Sequence, residues 1–267
     1  MVKIIKKILL CPPEHFQIQY QINPWMANKT INRLRAKNQW LKLVDTCQRL
    51  NIQTDFIKPQ RQLPDMVFAA DQGLIKNHSV ILANFRFQER KPETKIYRDW
   101  FKTQNFKILH LPKNLYFEGG DALDLGNKII LGHGFRTSPK TSEAIANLFK
   151  TPVFGLKLID PCFYHLDTCL FPLNEKTAFY YPPAFNQASQ KKLINLFPRL
   201  IALPKKEAFD LAANSLNTDH QVITNQKANF FTKKLAQLGY RVYQVNVSEF
   251  IKSGGGIHCL TIATETN

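Results

Sequence analysis

Segments with helical periodicity recur about every fifty residues along this chain, each bracketed by short apolar runs of strand type. The helix-type segments span about 28–51, 93–105, 141–149, 186–196 and 227–238. Strand-type runs fall at about 66–70, 80–83, 108–111, 129–131, 153–158, 178–181, 222–224, 242–245 and 260–263, with a first strand inside 1–11. Each unit reads strand, strand, helix, strand. The units do not match residue for residue, so the repetition is structural. Five such units can close into a ring, and a ring brings loops from several units to one central pocket. The alternative for an α/β chain is an open doubly wound sheet. No G-x-G-x-x-G joins a strand to a helix, so that alternative lacks its usual phosphate-binding turn.

The 267 residues suit one large domain or two small ones, and no linker or low-complexity tract divides them. With 44% hydrophobic and 21% charged residues the chain is not compositionally disordered. Its net charge of +16 raises the question of an acidic partner. The basic residues are spread out, however, with only short runs at 3–7, 205–206 and 233–234, and no nucleic-acid motif accompanies them. A lysine-rich solvated surface is expected, with no nucleic-acid partner. Five scattered cysteines, an odd number, do not form a secreted disulfide framework and suit a reducing cytoplasm. The stretch from Met1 to Cys11 mimics a signal peptide or lipobox, but its apolar run is short and Pro12-Pro13 follows at once. No apolar run approaches the ~20 residues of a membrane helix, so no membrane partner is expected.

Four loop-like segments concentrate polar residues beside glycine or aromatics. In Phe117-Glu118-Gly119-Gly120-Asp121 the glycine pair permits a tight turn that brings two carboxylates together, although a plain turn has the same look. In Phe163 to Cys169, His165 and Asp167 are two apart, so on a strand they share one face, where the carboxylate can orient the ring. An ordinary strand end is the bland alternative. Cys162, His165 and Cys169 also supply three ligands of metal type, without the fourth that a structural zinc needs. In Lys252-Ser253-Gly254-Gly255-Gly256-Ile257-His258-Cys259 three glycines lead to a cysteine at the head of the last strand. It is either an exposed reactive thiol or a buried one. His258, adjacent on that strand, points to the opposite face and is a weaker base than His165. Asp71 ends the 66–70 run beside Gly73, where it is either a cation ligand or a turn former. Arg86 and Arg136 could each grip a carboxylate with a planar fork or lie on the surface. Phe85, Phe87, Phe117 and His133 are candidates for pocket lining, and aromatics there equally suit a core.

Taken in order, F-E-G-G-D, H-L-D-T and G-G-G-I-H-C resemble the amidinotransferase and arginine-deiminase superfamily, the penteins, and within it the dimethylarginine dimethylaminohydrolase-like branch. The likeness runs from Pro12-Pro13-Glu14-His15-Phe16 through Asn23-Pro24-Trp25-Met26 to Cys259. It implies an α/β fold, a five-bladed pentein propeller of ββαβ modules with pseudo-five-fold symmetry, over 1–267 as a single catalytic domain. It also implies hydrolysis of a guanidino C–N bond in arginine or a methylated arginine, through a covalent thiouronium, with no cofactor and no metal. By the same resemblance Cys259 is the nucleophile and His165 the acid/base. Glu118, Asp167 and Asp71 are the guanidino-binding and orienting carboxylates, Arg86 and Arg136 hold the substrate α-carboxylate, and Asp121 is structural. Dihydrolase-like relatives tend to carry Asn where this chain has Asp71, which points away from double hydrolysis. The expected partner is a small guanidino substrate. Amidino transfer and dihydrolase action on the same residues, and a non-catalytic basic binding protein, are the alternatives. Homo-oligomerisation is left open.

Overall fold

The computed structural model describes residues 4–267, so the start of the expected first strand, at 1–3, lies outside the described residues. Five three-stranded sheets are present among the described residues. Blade one joins both ends of the chain: β1 (Ile5–Leu10), α1 (Arg33–Arg49) and β2 (Gln53–Phe56), with β15 (Ile262–Thr266) beside β1. Blade two is β3 (Gly73–Lys76), β4 (Ser79–Leu82), α2 (Glu93–Thr103) and β5 (Lys107–Leu109). Blade three is β6 (Ala122–Asp124), β7 (Ile129–His133), α3 (Thr141–Phe149) and β8 (Val153–Lys157). Blade four is β9 (Leu170–Pro172), β10 (Thr177–Tyr180), α4 (Gln187–Leu196) and β11 (Arg199–Ala202). Blade five is β12 (Leu216–Thr218), β13 (Gln221–Asn225), α6 (Asn229–Gln237) and β14 (Arg241–Val245). Two short helices, α5 (Lys205–Phe209) and α7 (Ser248–Ile251), lie in the connections that follow β11 and β14.

Every blade has one pairing pattern. Its middle strand is antiparallel to one neighbour and, across the helix, parallel to the other. A parallel pair needs a crossover, which is the role of the helix. Two hairpins show the local chemistry. Asn77-His78 and Asp219-His220 each take positive φ at both turn positions, the geometry whose twist matches flanking strands. The helices bury one stripe each, such as Tyr97 and Phe101 on α2 and Phe231 and Leu235 on α6. Asn32 and Asn186 accept from backbone N–H groups at the starts of α1 and α4.

The five helix-type segments match α1 to α4 and α6, and the ring of ββαβ units matches the five sheets. The core continues from blade to blade. Leu9 of blade one packs in one cluster with Val80 and Tyr97 of blade two. Leu74 and Ile81 of blade two pack with Ile129 and Leu131 of blade three. Phe171 of blade four meets Phe231 of blade five edge to face. The inner strands β15, β3, β6, β9 and β12 all line one axial cavity of about 600 Å³.

Two local expectations need correction. The 66–70 run is not a strand but two short 3-10 turns, Pro64–Val67 and Ala69–Gln72. Pro64 has no N–H for a ladder, and the turns bury Asp65 and Asp71, which a strand end would expose. The last strand begins at Ile262 rather than 260, so Cys259 sits in the turn before it.

Candidate active site

Polar side chains converge from the turns that precede the inner strands. Asp71 comes from the turn before β3, Glu118 from before β6, His165 and Asp167 from before β9, Asn214 from before β12 and Cys259 from before β15. A ring therefore delivers at least one polar group per blade to one place. The reactive groups are sealed from solvent: Cys259, His165 and Asp167 are each 1% exposed and Asp71 3%.

His165 lies between two carboxylates. Its Nε2 is 2.9 Å from Glu118 Oε2 and its Nδ1 is 3.3 Å from Asp71 Oδ1. Burial alone would lower its pKa, but Asp71 and Glu118 outweigh that and raise it from 6.5 to about 9. The ring is thus an imidazolium at neutral pH. Glu118 is held the other way. Burial opposes its charge, yet Arg136 and His165 lower its pKa from 4.5 to about 2. Arg136 Nη1 donates to Glu118 Oε2 at 3.0 Å and Nη2 to the Ile22 carbonyl at 2.8 Å. The Arg136 guanidinium also lies over the rings of Phe87 and Tyr164, each at 4.6 Å.

Cys259 Sγ lies 3.0 Å from Asn214 Nδ2 and 3.3 Å from Asp167 Oδ2. Burial pushes the thiol well above its ordinary pKa, and the carboxylates of Asp167 and Asp71 push the same way. Asn214 Oδ1 accepts from the N–H groups of Gly256 and Cys259, so one amide orients both the turn and the sulfur.

The ligand-type atoms of Asp71, Asp167 and Cys259 lie within 4.8 Å of one another. Asp71 Oδ2 is taken by Arg90, and Asp167 Oδ2 by His258 and Cys259. Asp71 Oδ1, though in ionic contact with His165, and Asp167 Oδ1 are buried without a hydrogen-bond donor among the described residues. Two buried carboxylates beside a thiol, each with an oxygen that accepts no hydrogen bond, suit a planar cation with several N–H donors.

Three expectations change with this geometry. Asp167 does not orient His165; residues 166–168 form a 3-10 turn, not a strand, and the two side chains diverge to different partners. His258 and Cys259 do not face apart. Strand alternation does not apply in a turn, and both reach Asp167 Oδ2, at 2.8 and 3.3 Å. Glu118 is occupied by Arg136, His165 and the Arg86 N–H, so it holds His165 rather than offering a spare oxygen. Arg86 is exposed over the Tyr116 ring, whereas Arg136 is buried. Phe85 and Phe117 are core residues. Cys169 donates to the His165 and Leu166 carbonyls, and the His165 ring turns to carboxylates. Asp121 Oδ1 accepts from Leu166 N at 3.1 Å and steadies the His165 turn.

Sequence reasoning missed Asn214 and Arg90. Asn214 occupies the pre-strand position of blade five, so the repeat itself was the signal. Arg90 pairs with Asp71 and Glu93 in a buried cluster, and nothing in its local sequence marks it.

Residues 12–265 match the family profile for N,N dimethylarginine dimethylhydrolase, eukaryotic. The chain belongs to this family. It is 38% identical to the bifunctional arginine dihydrolase/ornithine cyclodeaminase ArgZ of Synechocystis over 96% of its own length, but spans only 37% of that relative. It is 35% identical to the N(G),N(G)-dimethylarginine dimethylaminohydrolase of Mycobacterium tuberculosis, covering 96% of this chain and 85% of the relative. Among solved structures, the N-terminal domain of cyanobacterial ArgZ, a Cys-to-Ser mutant bound to substrate, superposes with a TM-score of 0.94 at 37% identity, covering 97% of each chain.

Proposed function

We propose that this chain hydrolyses a guanidino C–N bond of arginine or an N-methylated arginine, as one catalytic unit, with Cys259 as nucleophile. The observation that carries this reading is the pair of buried carboxylates, Asp71 and Asp167, beside the Cys259 thiol, each with one oxygen that accepts no hydrogen bond among the described residues. A guanidinium between them would neutralise the two anions that keep the thiol protonated, so substrate binding itself favours the thiolate. The thiol gives up its proton to solvent as the cation binds, and the thiolate attacks the guanidino carbon. His165, already charged, protonates the leaving amine, and a thiouronium remains on Cys259. His165 then takes a proton from the attacking water. The exposed Arg86 is proposed to meet the substrate α-carboxylate with its planar fork. Arg136 would reach it only by exchanging its Ile22 carbonyl. A cytoplasmic setting suits five free cysteines; no helix among the described residues is long and apolar enough to cross a membrane.

The likeness to ArgZ supports a second reading, arginine dihydrolase action. A panel of arginine and its methylated forms, scored for ammonia, methylamines, ureido product and ornithine, separates the two. Citrulline with one equivalent of ammonia or amine fits single hydrolysis, and ornithine with two of ammonia fits double. Cys259→Ser should abolish all of these, and turnover by that variant would overturn the nucleophile.

A further inference from the structure

The first half-reaction proposed above leaves the amino-acid part of the substrate attached to Cys259 until water releases it, so the path by which it entered stays occupied in between. One amine must nevertheless leave and one water must arrive. We propose that they exchange through the axial cavity, which the inner strands line and which reaches Asp167 and His258; this rests on the hydrolytic reading above.

The segment between β1 and α1 is fastened to residues around the site. Asn23 Nδ2 donates to the Ser253 carbonyl at 3.0 Å, Trp25 Nε1 to the Cys162 carbonyl at 2.7 Å, and Arg136 holds the Ile22 carbonyl at 2.8 Å. The cavity, about 600 Å³, reaches inward to Asp167 and His258. His258 is bonded to Asp167 Oδ2, which itself contacts the sulfur at 3.3 Å. The His258 side chain is 27% exposed where Cys259 is 1%. His258 and Asp167 thus stand between the cavity and the thiol. Lys76, Asp124, Asn217 and Thr264 are among the lining residues, and a cavity of this size with polar groups in its walls holds water.

The step balances. Water adds through oxygen to the thiouronium carbon and one of its protons passes to His165, which lost a proton to the amine. The C–S bond then breaks, the second proton goes to sulfur, and ureido product and thiol result.

Ala263 and Leu123 line the cavity and take no part in the chemistry. A series Ala263→Val, Ala263→Leu and Ala263→Phe, with Leu123→Phe, narrows it. Chemical-quench experiments on the full chain with arginine count ammonia formed and citrulline formed separately in the first turnovers. Ammonia formation at one per site and at the wild-type rate is expected throughout. Citrulline formation should slow progressively with side-chain volume, by tenfold or more for Ala263→Phe, while a Cys259 adduct accumulates. Citrulline formation that is flat across the series, or that falls only in proportion to ammonia formation, overturns the passage. A wild-type chain that forms no ammonia or amine from any guanidine instead overturns the hydrolytic reading.

Discussion

At the residue scale, the site works by setting charges against one another. Asn214→Asp would keep the acceptor for Gly256 and Cys259 but remove the donor to sulfur and add an anion. Alkylation of Cys259 should then require higher pH than in the wild type, read from an iodoacetamide rate–pH profile. His165 carries a stability signature. Its folded pKa of about 9 exceeds its ordinary 6.5, so its contribution is full below pH 6.5 and is lost as pH rises through about 9. The denaturation-midpoint advantage of wild type over His165→Gln should shrink across that window. A constant difference would count against the two-carboxylate setting. Arg90→Met leaves Glu93 buried without its cation and Asp71 with His165 alone, and breaking such a cluster costs about 3–5 kcal/mol. Urea denaturation checks this.

At the element scale, the pre-strand turns are the working parts. Gly120 has no room for a side chain: a Cβ there would stand 2.7 Å from both Asp71 Oδ1 and His165 Nδ1. Gly120→Ala should push these groups apart, with about 1–3 kcal/mol of destabilisation and a fall in kcat/KM larger than stability loss explains. The helices and most middle strands were legible because they bury one stripe with a clear period, as Tyr97 and Phe101 do. Cys259, His165, Glu118 and Asp71 were legible as candidates because glycines and paired polar residues mark their turns. Their partners were not, because pairing is decided by how blades meet. Asp167 turns to His258 and Cys259 instead of its neighbour His165, and no spacing within one segment encodes that. The short inner strands, such as β6 and β9 with three residues each, carry too little pattern to read.

At the scale of the whole molecule, ring closure places both ends of the chain in blade one, where β15 pairs with β1. The ring also shows how a chain of net charge +16 could hold the proposed cationic substrate: the acidic cluster is buried at the axis and most basic residues lie outside. Outer positive charge repels an arginine-like cation during approach, so added salt should raise kcat/KM by screening it. The decisive experiment on Cys259 is mass spectrometry of the acid-quenched enzyme during turnover of arginine, followed by peptide mapping. An amidino-linked adduct of the substrate is expected on the peptide containing Cys259 and absent from Cys259→Ser. Turnover with no adduct at any time point, or an adduct on another cysteine, would contradict it.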